Sequence, residues 1–329
     1  MQYSKIRWGI IGCGDVTEVK SGPAFQKVRN SELVAVMRRT GELAKDYALR
    51  HHVPKWYDDA DALIHDPDVD AVYIATPPGS HMEYTLKAAR AGKPVYVEKP
   101  MARSFAECQK MIQACKEARV PLYVAYYRRA QPRFLKIKEL LAAQAIGDVR
   151  FVSATQYQPV PDGMMDSESL PWRVQPEIAG GGLFFDLASH TLDLFDFLLG
   201  PIKAVQGVAS NQAHLYRAED MVSGSYLFES GIHGTGTWCF SAFAHVDVNE
   251  IVGSKGKITF STFGDDPVVL TTESGKQQWS FKRPQHVHQP LVETLVAELT
   301  GENVICPSTG ESGARTNWVM GEMVKNYYE

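Results

Sequence analysis

Up to residue 125 the chain alternates short apolar runs with segments whose apolar positions recur at helical spacing. The runs at 6–11, 33–37, 71–75, 94–97 and 122–125 are apolar at consecutive positions except for Arg7, which predicts strands buried on both faces, as in a parallel sheet. Helices with readable ends lie between them. Ser80 with Glu83, and Ser104 with Glu107, have capping-box spacing; Gly92 stops the first of these helices and Pro121 follows the second. Strict strand–helix alternation implies βαβ units, hence an N-terminal Rossmann domain, a doubly wound parallel sheet over residues 1–125.

After Tyr127 the beat changes. A helix over about 132–143 leads to a strand over 149–158, an irregular stretch rich in Pro, Gly and Met, and a helix over 183–199. From 202 to 281 apolar and polar positions alternate between turn signals such as Ser230-Gly231 and Ser274-Gly275, the pattern of antiparallel hairpins. Residues 126–329 are therefore expected to form a C-terminal α+β domain on a mostly antiparallel open sheet, closed by helices at 290–299 and 314–328 and concerned with substrate binding and oligomerisation. Such a sheet covers one face with its helices, so a homodimer or homotetramer is expected through the other.

Composition narrows the partners. The 329 residues are 44% apolar and 22% charged, ordinary for a globular protein, and the net charge of −4 comes without a basic run. A small molecule is a better partner than nucleic acid. No apolar stretch has spanning length and the first residues lack a signal peptide's apolar centre, which predicts a cytoplasmic protein with no membrane association. The five cysteines form no CxxC pair, against both a disulfide framework and a metal site. His286 and His288 have metal-like spacing but no nearby acidic or Cys partner, and read as cap or surface residues.

A glycine turn, Gly12-Cys13-Gly14, follows the first strand directly and leads into Asp15 and Val16. There backbone N–H groups and a helix start can meet a pyrophosphate. The third fingerprint position is Thr17, bulkier than Gly or Ala, and Pro23 predicts a late start or a bend near Ser21-Gly22. The second strand ends Met37-Arg38-Arg39-Thr40 with no carboxylate to accept from a ribose 2′-OH. Arginines there suit a 2′-phosphate, favouring NADP while leaving NAD open. Thr76, Pro77 and Pro78 end the third apolar run and are expected to wall the nucleotide. His81, next in line, is expected among the cofactor contacts, with a structural role competing with a chemical one.

The fourth run ends Glu98-Lys99-Pro100, an ammonium and a carboxylate at the crevice edge. The alternative is that Lys99 merely pairs with Glu98 or a phosphate. Farther on, Asp186, His190 and Asp193 are spaced as one polar stripe on an otherwise apolar helix after Gly180-Gly181-Gly182. Such a stripe is either paired inside a core or faces a pocket. Tyr127, Tyr157, Trp172 and Arg173 add aromatic faces and donors suited to a polyol.

On these residues the sequence resembles the Gfo/Idh/MocA family of NAD(P)-dependent oxidoreductases over essentially its whole length. The resemblance rests on the glycine turn, Glu98-Lys99-Pro100, Trp172-Arg173, and the glycine triplet followed by Asp186 and His190. It implies Lys99, Asp186 and His190 as catalytic residues, with Glu98 at the cofactor. Thr17 and Arg38-Arg39 depart from NAD-preferring members. The implied activity is hydride transfer between NADP(H) or NAD(H) and a secondary alcohol or ketone of a sugar, cyclitol, anhydrosugar or dihydrodiol. The alternatives are a glycosidase that oxidises C3 transiently and a nucleotide-sensing regulator.

Overall fold

The computed structural model describes residues 3–161 and 170–329. Strands β1 (Ile6–Ile11), β2 (Ser31–Met37), β3 (Lys55–Tyr57), β4 (Ala71–Ile74), β5 (Val95–Val97) and β6 (Leu122–Val124) form a parallel sheet in the order β3-β2-β1-β4-β5-β6. Every residue of β4, β5 and β6 is buried, which is why these strands read as unbroken apolar runs. The order reverses beside β1, and the ends of β1 and β4 border the crevice where such sheets bind dinucleotides.

The pattern of apolar runs misses β3. It is a three-residue edge strand paired only with β2, and its Trp56 is exposed. Polar side chains anchor it instead. Lys55 Nζ lies 2.9 Å from Asp66 and 2.7 Å from Asp68, and the Tyr57 hydroxyl donates to Asp66 at 2.8 Å. The two capping boxes also diverge. Ser104 Oγ accepts from the Glu107 N–H at 3.3 Å, but the Glu107 carboxylate turns to the Arg103 N–H at 3.1 Å. At Ser80 no box forms: its hydroxyl donates to Thr76 Oγ1 at 2.8 Å, and a 3-10 turn, Pro78–Ser80, leads into the His81–Arg90 helix.

Strands β7 (Val149–Tyr157), β8 (Ile202–Ser210), β9 (Met221–Phe228), β10 (His233–Cys239), β11 (Val246–Gly253), β12 (Gly256–Phe260), β13 (Val268–Thr272) and β14 (Gly275–Trp279) build a second sheet in the order β14-β13-β12-β11-β7-β10-β9-β8. All neighbours are antiparallel except β7 and β10. Its inner face carries Val152, Ala154 and Trp238. These join one apolar core with Phe134 and Ile137 from the Pro132–Ala142 helix, Leu192 and Phe195 from Ser189–Leu199, and Met320 and Met323 from Gly310–Tyr328.

The chain divides into two compact units: Met1–Gln131 with Pro284–Ala314, and Pro132–Arg283 with Arg315–Glu329. The 126–329 expectation did not anticipate the return of 284–314 to the first unit. The Gln289–Leu299 helix puts Leu291, Val292, Leu295 and Val296 into the same core as Trp8, Phe25, Tyr73 and Tyr96. Its amphipathic pattern announces a buried face without saying against which core. No helix among the described residues is long and apolar enough to cross a membrane.

Candidate active site

The glycine turn after β1 is fixed by both angle and space. Gly12 has φ +91°, and a Cβ there would lie 2.7 Å from Thr76 Cγ2 and 3.0 Å from the Thr76 backbone nitrogen. The N–H groups of Gly12 and Cys13 donate to the Met37 carbonyl at 2.8 and 3.1 Å, tying the turn to the end of β2. A helix opens at once over Asp15–Val19, so it does not start late, and the chain bends through 20–23 before the short Ala24–Lys27 helix. Thr17 is fully buried and fits its position by donating its hydroxyl to the Gly14 carbonyl at 2.7 Å, while its own carbonyl accepts from the Tyr47 hydroxyl at 2.8 Å.

Arg38 and Arg39 are exposed, and Arg38 Nη1 points to the Cys13 carbonyl at 3.5 Å, beside the turn. Asp15 is exposed, Val16, Thr76 and Pro77 are half-buried, and Pro78 is buried. His81, expected among the cofactor contacts, is fully buried. Its Nε2 lies 2.7 Å from the Thr76 carbonyl, and its Nδ1 lies 3.1 and 3.2 Å from the carbonyls of Pro100 and Met101. Burial lowers its pKa. The ring braces the loop after β4 against the turn after Lys99, so any effect on a nucleotide passes through that loop.

Lys99 is half-buried just beyond β5, and its bond to Pro100 is cis. Glu98 is buried, with one carboxylate oxygen accepting from the Lys99 backbone N–H at 3.1 Å and the other from the Tyr73 hydroxyl at 2.5 Å. His286 and His288, read from the sequence as cap or surface residues, are both buried. His288 does occupy the N-cap of the Gln289–Leu299 helix, yet its side chain turns inward. Its Nδ1 lies 3.0 Å from the Tyr96 hydroxyl and its ring stacks on Tyr127, centroids 4.5 Å apart. His286 contacts Lys27 Nζ and the Val19 carbonyl, each at 2.6 Å. Tyr127 is half-buried and accepts from Arg128 Nη1 at 2.9 Å.

In the second unit the glycine triplet leads into a π-helical turn, Phe184–Ala188, and the α-helix begins only at Ser189. The expected regular stripe is therefore interrupted: Asp186 sits in the π turn, a geometry frequent at functional sites. Asp186 is half-buried and accepts from Arg173 Nε at 3.1 Å; the Arg173 guanidinium lies over the Trp172 ring, 4.4 Å from its centroid. His190 is buried and meets Phe263 edge-on at 5.7 Å. Asp193 is buried too, with the Thr316 hydroxyl 3.5 Å away, so it belongs to the packing against the terminal helix. Tyr157 is half-buried and alternates with the buried Gln156, which shares its sheet face with Trp238 and hence with Phe184. The structure thus sets Tyr157 on the opposite face from the segment carrying Asp186 and His190. Residues 162–169, within the irregular stretch between Tyr157 and Trp172, lie outside the described residues.

Two carboxylates that the sequence reading passed over hold this segment. Glu219 is fully buried, accepts from the Gly182 N–H at 2.9 Å on both oxygens, and receives the Tyr328 hydroxyl. Burial pushes its pKa up to about 7. A Cβ on Gly182 would lie 2.5 Å from the Glu219 carbonyl. Asp247 accepts from the N–H groups of Thr262, Phe263 and Gly264 at 3.0, 2.6 and 3.2 Å, shaping the loop that presents Phe263 to His190. The charge of Glu219 and Asp247 within or against a strand-like run is visible in the sequence, but not that the side chain turns inward. Among the described residues no three His, Cys, Asp or Glu side chains group as a metal would need.

Comparison with known proteins agrees with both halves. Residues 6–126 match the oxidoreductase family with an NAD-binding Rossmann fold, and residues 134–259 match the GFO/IDH/MocA C-terminal domain. Oxidoreductase P35 of Formosa agariphila is 40% identical over 96% of this chain and 98% of its own. The 1,5-anhydro-D-fructose reductase of Ensifer adhaerens is 31% identical over 69% of this chain and 67% of its own. Among solved structures, a levoglucosan dehydrogenase in complex with NADH and levoglucosan superposes with a TM-score of 0.84 at 25% identity, covering 98% of this chain and 97% of that one. The chain belongs to the Gfo/Idh/MocA family and is an oxidoreductase that uses a nicotinamide cofactor.

Proposed function

We propose that the protein transfers hydride reversibly between NADP(H) and a secondary alcohol or ketone of a sugar, cyclitol, anhydrosugar or dihydrodiol. The observation that carries this reading is a buried imidazole, His190, four residues beyond an Asp186 that is bridged to Arg173 over an aromatic face. That is an acid/base beside a polar and aromatic surface of the kind that holds a polyol. The relatives named for an anhydrosugar and an anhydroketose support the same substrate class.

His190 takes the hydroxyl proton in oxidation and returns it in reduction. Lys99 donates a hydrogen bond to the substrate oxygen as negative charge develops on it. Asp186, with Arg173, holds a neighbouring hydroxyl, and Trp172 and Tyr127 supply apolar faces. The turn leaves room for the cofactor at Gly14, where a Cβ would meet nothing nearer than the Gly12 carbonyl at 3.9 Å: the 12–16 turn, Thr76, Pro77 and Pro78 would hold the nucleotide, with Glu98 behind Lys99. When bound, the nicotinamide supplies the hydride acceptor or donor. Arg38 and Arg39 meet the 2′-phosphate, supported by their exposure beside the turn and by the lack of an acid there.

We assign a second copy of the chain to the open face of the eight-stranded sheet. Strand register puts Phe151, Val208 and Val248 on that one face, and all three are exposed. The five cysteines are free thiols, which fits a reducing compartment such as the cytoplasm.

The test is a screen of sugars, cyclitols and diols in both directions with NADP(H) and NAD(H). His190→Ala should lower kcat about 100-fold or more while the cofactor Kd stays put, and Lys99→Ala should cost a similar factor. Unchanged turnover in either variant removes that residue from the chemistry. Replacing Arg38 and Arg39 together by Ala should weaken NADP about ten-fold more than NAD, since a charge-assisted phosphate contact is lost; equal losses reject the 2′-phosphate assignment.

A further inference from the structure

We propose that His288 is a positioning residue for Lys99, acting through Glu98 and Tyr127. This rests on the assignment of Lys99 as donor to the substrate oxygen. The residues come from distant parts of the sequence but from one compact unit. Tyr96 lies on β5 and Glu98 just past its end, Tyr73 lies on β4, Tyr127 follows β6, and His288 arrives on the returning segment.

The chain of contacts is directional. The Tyr96 hydroxyl is 3.0 Å from His288 Nδ1. When that hydroxyl donates, the imidazole proton sits on Nε2, which faces Glu98 Oε1 at 3.6 Å. Oε1 also accepts from Tyr73, whose hydroxyl is 3.1 Å from Ser21 Oγ, and Oε2 accepts from the Lys99 N–H at 3.1 Å. Burial brings the His288 pKa down to about 3, with Lys20, Lys99 and Arg128 pushing the same way. The 3.6 Å contact is therefore between a neutral ring and a carboxylate, longer than a hydrogen bond and not an ion pair. Its value lies in orientation: the carboxylate is confined between Tyr73, His288 and the Lys99 backbone. On its other side the same ring stacks on Tyr127, whose hydroxyl accepts from Arg128. One uncharged side chain thus sets both the carboxylate under the Lys99 backbone and the aromatic ring next to it.

The test is a double-mutant cycle with Lys99→Ala. His288→Phe keeps the stacking ring but loses both polar atoms. It should lower kcat about ten-fold, because a small misplacement of a catalytic group is costly, and leave the KM for substrate and cofactor within about two-fold. His288→Gln, which keeps an amide donor and acceptor, should recover most of the loss. In the Lys99→Ala background His288→Phe should have no further effect on kcat. If its effect is as large there as in the wild type, or if KM rises while kcat holds, the positioning role is wrong and the Lys99 assignment stands. If Lys99→Ala itself leaves kcat unchanged, the functional reading beneath it fails. Should His288→Phe not fold, Tyr96→Phe removes one hydroxyl from the same chain: a kcat loss that vanishes in the Lys99→Ala background upholds the role, and a loss that persists there overturns it.

Discussion

Lys99 and His190 are held in place by supports that differ in what titrates. Around Lys99 aromatic hydroxyls and buried imidazoles gather about one carboxylate, Glu98: burial raises Tyr73 and Tyr96 well above 10, lowers His81 and takes His288 to about 3. Around His190 the anchors are carboxylates on backbone N–H groups, and one of them, Glu219, has its pKa raised to about 7 by burial. The first support is silent at neutral pH and fails on acidification. The second changes charge in the neutral range. The two units are thus exposed to pH from opposite sides.

The sign follows from which state binds the proton. His288 is depressed below its ordinary 6.5, so its contribution is present above 6.5 and is lost as pH falls through about 3. A shift of that size on a fully buried group is worth on the order of 5 kcal/mol. His288→Gln should therefore flatten the acid side of a stability-against-pH curve, measured by urea unfolding; an unchanged acid slope breaks the comparison at its stronger end. Glu219 is raised above its ordinary 4.5, so its contribution is fully present below 4.5 and is lost as pH rises through about 7. That loss is about 3 kcal/mol. Glu219→Gln should level the decline between pH 5 and 8 and leave the acid side alone. With probes in each unit, the first should lose stability relative to the second on going from pH 8 to pH 4.5. Midpoints that move together at every pH would show that the units do not unfold separately.

Sterics in the second unit sharpen the contrast without titration. Gly182→Ala forces its new methyl against the Glu219 carbonyl, and should destabilise by about 2 kcal/mol at every pH. A midpoint that does not move would show that the glycine run has slack. The smallest effect belongs to the open sheet face: Val248→Lys should turn an oligomer into a monomer in sedimentation while the pH profile of either unit shifts by under about 0.5 kcal/mol. A variant that stays oligomeric places the partner elsewhere.

Much of the architecture was legible because burial on both faces writes itself as consecutive apolar residues. β1, β4, β5 and β6 stand where the runs predicted. β3 escaped because an edge strand held by Lys55 and Tyr57 needs no such run. Lys99 and His190 drew attention as charges or titratable groups in apolar surroundings. Glu219 did not, and His288 did only for a metal-like spacing that was read as a cap or surface feature, because nothing local to a histidine at a helix cap or a glutamate ahead of a strand shows that the side chain turns inward. The π turn at Phe184–Ala188 was hidden for a different reason: an extra residue in one turn leaves the spacing of Asp186 and His190 unchanged on paper.

The return of 284–314 to the first unit bears on how the molecule is made. As the chain leaves the ribosome, the faces of Trp8, Phe25 and Tyr96 emerge roughly 200 residues or more before the leucines and valines that cover them. The nucleotide-binding half thus stays open while the second sheet is being made, and until segment 284–314 arrives it carries an apolar flank that chaperones, or another nascent chain, can find before its own helix does.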